Sequence, residues 1–285
     1  MPEISYRTVA VGDTEVFYRE AGAPDAPVLL LLHGFPTSSH MFRDLIPKLA
    51  HRYRLIAPDL PGFGLTRTPA GFTPSFDGIA RVIDGFTQAL QLTRYALYVF
   101  DYGAPTGFRL AMWHPERVTA IISQNGNAYE DGLSKEWEAW QRYWREPSAE
   151  NREACRIALR PDVIRDVQYL NGADATRVSP DGYTLDSHYL ERPGADEIQL
   201  DLILDYRSNV ALYPDFQRYF RDSKPPLLAT WGRNDAFFLP AGAEAFRRDL
   251  PDAEAHLLDT GHFALETHAA EIATLIDDFL TRKLA

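Results

Sequence analysis

The chain has 285 residues, a length that suits one large domain or a domain carrying an insertion. Its 29 Lys and Arg stand against 40 Asp and Glu, a net charge of −11, and no stretch gathers a basic footprint; a nucleic-acid partner is therefore not expected. With 45% hydrophobic and 24% charged residues, the composition is that of a folded globular protein rather than a disordered one.

The single cysteine, Cys155, can form neither an internal disulfide nor a cysteine-rich zinc site, and it reads as a small buried hydrophobe. The opening residues Met1-Pro2-Glu3-Ile4 lack a basic stretch followed by an apolar run, so no secretory signal and a cytoplasmic location are expected. The apolar run Val28–Leu32 falls far short of the ~20 residues that cross a bilayer, and no membrane partner is expected.

Taken in order, Ile4–Val9 and Glu15–Tyr18 read as strands and Ala21–Pro27 as a turn cluster. Val28–Leu32 is apolar throughout, as a strand covered on both faces must be, and Tyr53–Ala57, Tyr95–Phe100, Val118–Ser123 and Leu227–Gly232 read the same way. Ser39–Ala50, Ile79–Leu90 and Thr106–His114 are helix-like. Short buried strands alternating with helices predict a mostly parallel sheet with helices on both faces. The alternation stops after Ser123 and resumes at Leu227. The gap is helix-rich and aromatic, and holds Trp137, Trp140 and Trp144 together with eight of the fourteen tyrosines. It reads as a helical lid over the carboxyl edge of the sheet, where open α/β sheets bind ligands, and it would make a partly dry apolar chamber. Exposed lid tyrosines would also offer a contact for a homodimer.

The chemistry-bearing residues lie just past strand ends. Val99-Phe100-Asp101-Tyr102-Gly103-Ala104-Pro105 is an apolar strand, an acid, small residues and a proline opening a helix. A side chain on so sharp a strand-to-helix turn is thrust out of the sheet, as in a nucleophile elbow, with Asp101 where esterases carry serine. The competing reading is an ordinary helix N-cap. Asp235 ends the turn after Leu227–Gly232, and His262 follows the strand Ala255–Leu258. The order Asp101, Asp235, His262 is that of nucleophile, orienting acid and base. His256 and His268, each six residues away from His262, suit no metal site. Leu32-His33-Gly34-Phe35-Pro36 ends the most apolar strand and can aim an amide at the site, so that the N–H groups of Phe35 and Tyr102 form an anion hole.

These segments together resemble the α/β-hydrolase fold family in its epoxide hydrolase and haloalkane dehalogenase branch. His33-Gly34-Phe35-Pro36 resembles the family's His-Gly-x-Pro loop, Asp59-Leu60-Pro61-Gly62-Phe63-Gly64 its turn after the following strand, and Asp101-Tyr102-Gly103 its Asp-aromatic-Gly elbow. The resemblance implies a core of residues 1–127 and 221–285 with a helical cap at 128–220, and His33 and Pro36 beside the substrate. Asp205-Tyr206-Arg207-Ser208-Asn209 resembles the stretch that carries the second cap tyrosine of epoxide hydrolases, which makes Tyr206 the expected donor to the leaving oxygen. In Trp140-Gln141-Arg142-Tyr143-Trp144-Arg145-Glu146-Pro147 the first donor position falls on Trp140, with Tyr143 one helical turn on. The indole departs from the two-tyrosine pattern and suits a halide. Tyr102, where many dehalogenases carry tryptophan, and Phe35, where they often carry Asn or Glu, point back to epoxides.

A carboxylate attacking an ester carbonyl would give an anhydride, whereas attack on saturated carbon gives an alkyl ester that water can hydrolyse. The expectation is an epoxide hydrolase taking a small apolar epoxide and water, with haloalkane or haloacid dehalogenase as the alternative enzyme and a catalytically silent ligand-binding member as the alternative of another class. No cofactor or metal is implied, since Gly62-Phe63-Gly64 lacks the third glycine of a dinucleotide loop.

Overall fold

A computed structural model describes residues 3–284; Met1 and Pro2, part of the opening stretch read for a signal, lie outside the described residues, as does Ala285. Eight strands follow in chain order: β1 (Ser5–Val11), β2 (Thr14–Ala21), β3 (Val28–Leu32), β4 (Arg54–Pro58), β5 (Tyr95–Phe100), β6 (Val118–Gln124), β7 (Leu227–Gly232) and β8 (Glu254–Leu258). They form one sheet in the order β1-β2-β4-β3-β5-β6-β7-β8. The β1–β2 and β2–β4 pairings are antiparallel and every later one is parallel. The residue pattern follows from position: β5 and β7 are buried at every residue, while the edge strand β1 is mostly exposed.

The helices are α1 (Ile46–Leu49), α2 (Phe76–Ala89), α3 (Gly103–Trp113), α4 (Glu138–Arg145), α5 (Ala149–Cys155), α6 (Pro161–Val163), α7 (Pro180–Leu190), α8 (Ala195–Ser223), α9 (Pro240–Asp249) and α10 (Ala264–Lys283). In α2, Ser75 caps the N-terminus by accepting from the Gly78 amide, and Phe76, Ile79, Ala80, Ile83 and Phe86 repeat at helical spacing on the buried face. The expected helix over Ser39–Ala50 is instead a 3-10 turn at Ser39–Phe42 followed by the short α1. Pro47 is the cause: it has no N–H to give the carbonyl of Arg43, and its ring crowds that carbonyl.

Helices α4 to α8 all lie in the chain between β6 and β7. The last of them, α8, runs three residues past the expected cap boundary at 220. Its C-terminal half packs into the core, where Phe216 and Phe220 meet Phe108 of α3 at 5.4 and 5.3 Å between ring centroids, and Phe220 meets Phe246 of α9 at 5.6 Å. The premise of exposed lid tyrosines is corrected: Tyr129, Tyr143, Tyr169, Tyr206, Tyr213 and Tyr219 are buried, and Tyr183 and Tyr189 are half-buried. Among the described residues, no helix is long and apolar enough to cross a membrane.

The sheet and α3 approach too closely for any side chain at Gly103, where an added Cβ would stand 2.2 Å from the carbonyl oxygen of Leu32. Backbone cannot yield as a flexible side chain can, so Gly103→Ala should destabilise the fold by about 1–3 kcal/mol or more. Urea unfolding measures this, and an unchanged midpoint would contradict the packing described.

Candidate active site

Three strand ends bring the site together. After β5, Asp101 takes a left-handed backbone with φ of 47°, a conformation a non-glycine residue adopts only under constraint. The turn throws its carboxyl toward the loop after β3. There the Phe35 amide donates to Oδ1 at 2.6 Å, and the Tyr102 amide, at the start of α3, supports the same carboxylate. Gly34 makes the approach feasible, because a Cβ there would fall 2.3 Å from that oxygen. The N-cap position of α3 is Tyr102 and carries no side-chain cap. The carboxyl of Asp101 is thus turned into the site rather than used as a helix cap.

After β7, Asp235 lies opposite His262, with Nδ1 of the imidazole 2.7 Å from Oδ2. The approach of the two loops depends on Gly232, where a Cβ would collide with the Gly261 carbonyl at 1.9 Å. Two further donors hold Asp235: the Phe237 amide to Oδ1 at 2.7 Å, and the Asn125 side-chain amide to Oδ2 at 2.6 Å. A carboxylate so bound keeps the Nδ1 proton in place and leaves Nε2 as the acceptor. Asn125 directly follows β6 with φ of 46° and also accepts from the Gly232 amide through Oδ1. Sequence reasoning missed it. Its signal was position, since Asn125-Gly126-Asn127 occupies the carboxyl end of the one strand between β5 and β7.

Electrostatics at the site follow from dryness. Asp101 is 6% exposed, and burial pushes its acid up to about 6, against the opposing pull of His262 and of the Phe35 and Tyr102 amides. Burial, the largest influence on His262, favours its neutral form, but the charge and hydrogen bond of Asp235 with the charge of Asp101 outweigh it, and its pKa is raised. Phe100 packs on the imidazole at 4.6 Å between ring centroids, with Phe237 and Phe263 at 5.6 and 5.4 Å.

Residues of the insertion pack against the site. Tyr206 of α8 lies 5.7 Å from the ring of Tyr102 and 5.5 Å from that of Phe76, and burial raises its pKa well above the phenol value. The expected partners beside it are corrected. The indoles packed on Tyr206 are Trp137, at 4.6 Å, and Trp144, stacked at 5.9 Å; Trp140 is half-buried behind Trp137. Both packed indoles already donate, Trp137 to the Phe237 carbonyl at 3.0 Å and Trp144 to the Ile203 carbonyl at 2.6 Å. The Tyr143 hydroxyl is occupied by Arg152 at 3.0 Å, within a cluster that includes Asp201 and Glu197. Tyr213, one residue type the motif reading passed over, is buried on the same face of α8 as Tyr206 and accepts from Asn127.

His33 is also corrected: it is fully buried, its Nε2 accepts from the Leu60 amide at 2.8 Å and its Nδ1 lies 3.0 Å from the Gly34 carbonyl. Burial holds it neutral, and both nitrogens serve to join its loop to the 59–64 turn rather than to meet a ligand. Asp59 anchors that turn, accepting from the Ser39 and Leu65 amides. Pro36 lines a cleft of about 150 Å³ between this turn and Tyr189, Arg192 and Ile198 of the insertion. Cys155 is buried and free, and among the described residues no cluster of His, Cys, Asp and Glu could hold a metal ion.

A family model described as alpha/beta hydrolase fold matches residues 27–269. An uncharacterized hydrolase of Saccharomyces cerevisiae is 48% identical over 265 residues, which cover 91% of each chain. A haloalkane dehalogenase of Bradyrhizobium diazoefficiens is 40% identical over 119 residues, 42% of this chain and 38% of that one. Epoxide hydrolase 2 of Caenorhabditis elegans is 25% identical over 287 residues, covering 97% of this chain and 80% of that one.

The shift at Asp101 has a stability consequence. The acid loses its proton near 3.8 when unfolded and near 6 when folded, so stability falls as pH rises through that window and the full penalty of about 3 kcal/mol stands above it. Asp101→Asn should therefore raise the melting temperature at pH 8 by several degrees and change it little at pH 4. Thermal unfolding at the two pH values tests this, and an equal effect at both would refute the assignment of the penalty to ionisation.

Proposed function

The chain belongs to the α/β-hydrolase fold family, in its epoxide hydrolase and haloalkane dehalogenase branch, and on that premise we propose that it converts epoxides to vicinal diols through an ester formed on Asp101. The observation that carries this reading is a carboxylate at the elbow, held by the Phe35 amide, in a site that also holds a histidine–aspartate pair and has the ring of Tyr206 packed on that of Tyr102. In the first step the Asp101 oxygen not bound by Phe35 attacks a ring carbon. The carbon–oxygen bond breaks, and the leaving oxygen takes the proton of Tyr206. In the second step His262 Nε2 takes a proton from water, whose oxygen adds to the ester carbonyl carbon while the Phe35 and Tyr102 amides hold the oxyanion. Collapse expels the product alkoxide, which is protonated by His262. The proton on the regenerated carboxyl of Asp101 returns to Tyr206.

The reaction class follows from the nucleophile, and the choice within it from the donors. An alkoxide leaving group needs an acidic proton, and the hydroxyl of Tyr206 supplies one. A halide needs only weak donors such as indole N–H groups, and those of Trp137 and Trp144 are already spent on backbone carbonyls. Haloalkane dehalogenation is the second reading, favoured by the partial match to the Bradyrhizobium enzyme. The 128–220 segment, extended to the end of α8, acts in this reading as the cap that dries the site.

His262→Gln should leave the first step intact and block the second. Mass spectrometry after incubation with styrene oxide should then find the adduct on Asp101, and diol formation should fall by about a hundredfold or more. Bromide released from a bromoalkane with no diol from epoxides would establish the second reading instead. For the unmodified protein, kcat/KM should fall below about pH 6 as Asp101 takes up its proton, with no alkaline loss from Tyr206 below pH 10.

A further inference from the structure

The base of the proposed reaction is carried by a loop, and a short stretch of the insertion is wedged against both that loop and its neighbour. Tyr169 ends a wide turn over Ile164–Tyr169, and its ring is stacked on that of Phe263, at 3.9 Å between centroids and 13° between planes. Phe263 directly follows His262 and also packs on Phe100, at 5.1 Å. Asn171 meets the residue on the other side of the base: a Cβ at Gly261 would stand 2.0 Å from the Asn171 carbonyl oxygen. Gly172 meets the loop of the acid. Its carbonyl accepts from Asn234 Nδ2 at 2.9 Å, and Asn234 directly precedes Asp235.

A stack alone lets one ring slide over the other, and here a hydrogen bond fixes it. The Tyr169 hydroxyl donates to Asp186 Oδ2 at 2.5 Å, the short end of the range for a hydroxyl on a carboxylate. Both side chains are buried, and burial pushes the Asp186 acid up to about 7. Gly182 of α7 makes room for the ring, since a Cβ there would fall 2.8 Å from Tyr169 Cε1. Asp186 takes no part in the proposed chemistry, yet it is kept from water at that cost. The bond it makes holds the ring that backs the histidine loop.

We propose that the stretch 169–172 is the seat of the base: Tyr169, pinned by Asp186, is a positioning residue that acts on His262 through Phe263, and the insertion thereby governs hydrolysis of the ester as well as supplying the donor for its formation. Ester formation uses Asp101 and Tyr206 and needs no base. Hydrolysis needs Nε2 of His262 within reach of a water that also faces the ester carbonyl. A small displacement of the histidine loop therefore falls on the second step.

This inference rests on the proposed function, and the experiment separates the two. Single turnovers with styrene oxide, enzyme in excess, are quenched in acid and followed by mass spectrometry. Growth of the adduct on Asp101 reports ester formation, and its decay reports hydrolysis. Tyr169→Leu should slow the decay by about tenfold or more and leave the growth within about twofold, so that adduct accumulates. The acid limb of the decay should also move to lower pH, because a looser loop takes His262 further from the Asp235 charge that raises its pKa. Tyr169→Phe keeps the stack and frees it from Asp186, and Asn234→Ala cuts the bond to Gly172 at an exposed side chain. Each should give a smaller loss of the same kind, and they keep the test open if the leucine variant folds poorly. Equal losses in growth and decay, or a slower decay with its acid limb unmoved, would reduce Tyr169 to packing and overturn the inference. Unchanged rates would overturn it too, while leaving the epoxide reading in place. If His262→Gln forms no adduct, the proposed function and this inference fall together.

Discussion

The proposed reaction requires Asp101 to act as an anion where there is almost no water, and the buried surroundings of its carboxyl bear on that demand. The cost of burial is visible at Asp101, whose acid is pushed up to about 6. The compensation comes from the charge of His262 and from two backbone amides. The Phe35 amide comes from the loop after β3 and the Tyr102 amide from the first turn of α3, so two chain segments and a helix N-terminus converge on one oxygen pair. Backbone donors cannot rotate away, but they demand close approach. That demand explains why glycine stands at positions 34 and 103, where a single added carbon would strike an oxygen at 2.3 and 2.2 Å.

The same logic extends to the imidazole. His262 lies among phenylalanines, which by themselves would keep it neutral and weakly basic. Asp235 reverses this because it is itself fully ligated, by the Phe237 amide, the Asn125 side chain and Nδ1 of the histidine. Removing any one donor would leave a buried carboxylate underbonded, which is more costly than losing a surface ion pair. Asn125 accordingly does more than fill space at the end of β6: with its Oδ1 on the Gly232 amide and its Nδ2 on Asp235, it ties the acid to the strand that bears it.

What was legible in the sequence was local. The inner strands could be read because buried parallel strands are continuously apolar, and the elbow, where the acid could also have capped a helix, could be read because Asp235 and His262 too follow strand ends. The chain order of Asp101, Asp235 and His262 followed from the strand ends alone. What was not legible depends on which way a helix faces and on which distant segment it meets. Trp137, Trp140 and Trp144 repeat at nearly one turn, so spacing cannot say which indole reaches Tyr206, and packing selects the first and third. Tyr143 points into a cluster of Arg152, Glu197 and Asp201 that unites α4, α5 and α8. His33 reads as a site residue by neighbourhood, yet Leu60, twenty-seven residues away, claims its free nitrogen.

Helix α8 links the two layers of the argument. Its N-terminal half belongs to the insertion and carries Tyr206, while Phe216 and Phe220 are embedded between α3 and α9. A helix anchored in the core at one end transmits the position of the sheet to Tyr206 in the insertion, where a loop would not. The buried guanidinium of Arg109, on α3 just behind the elbow, reinforces the link by donating to the Pro105 carbonyl at 3.0 Å and to Asn209 Oδ1 at 2.7 Å. Burial pulls that guanidinium down to about 10, so it is held at a cost and still charged. The helix that starts beside Asp101 and the helix that bears Tyr206 are therefore joined by apolar packing and by a buried polar contact. That joint fixes α8 relative to the turn that bears Asp101, and the displacement at carbon proposed for this site would be sensitive to such placement at the scale of an ångström.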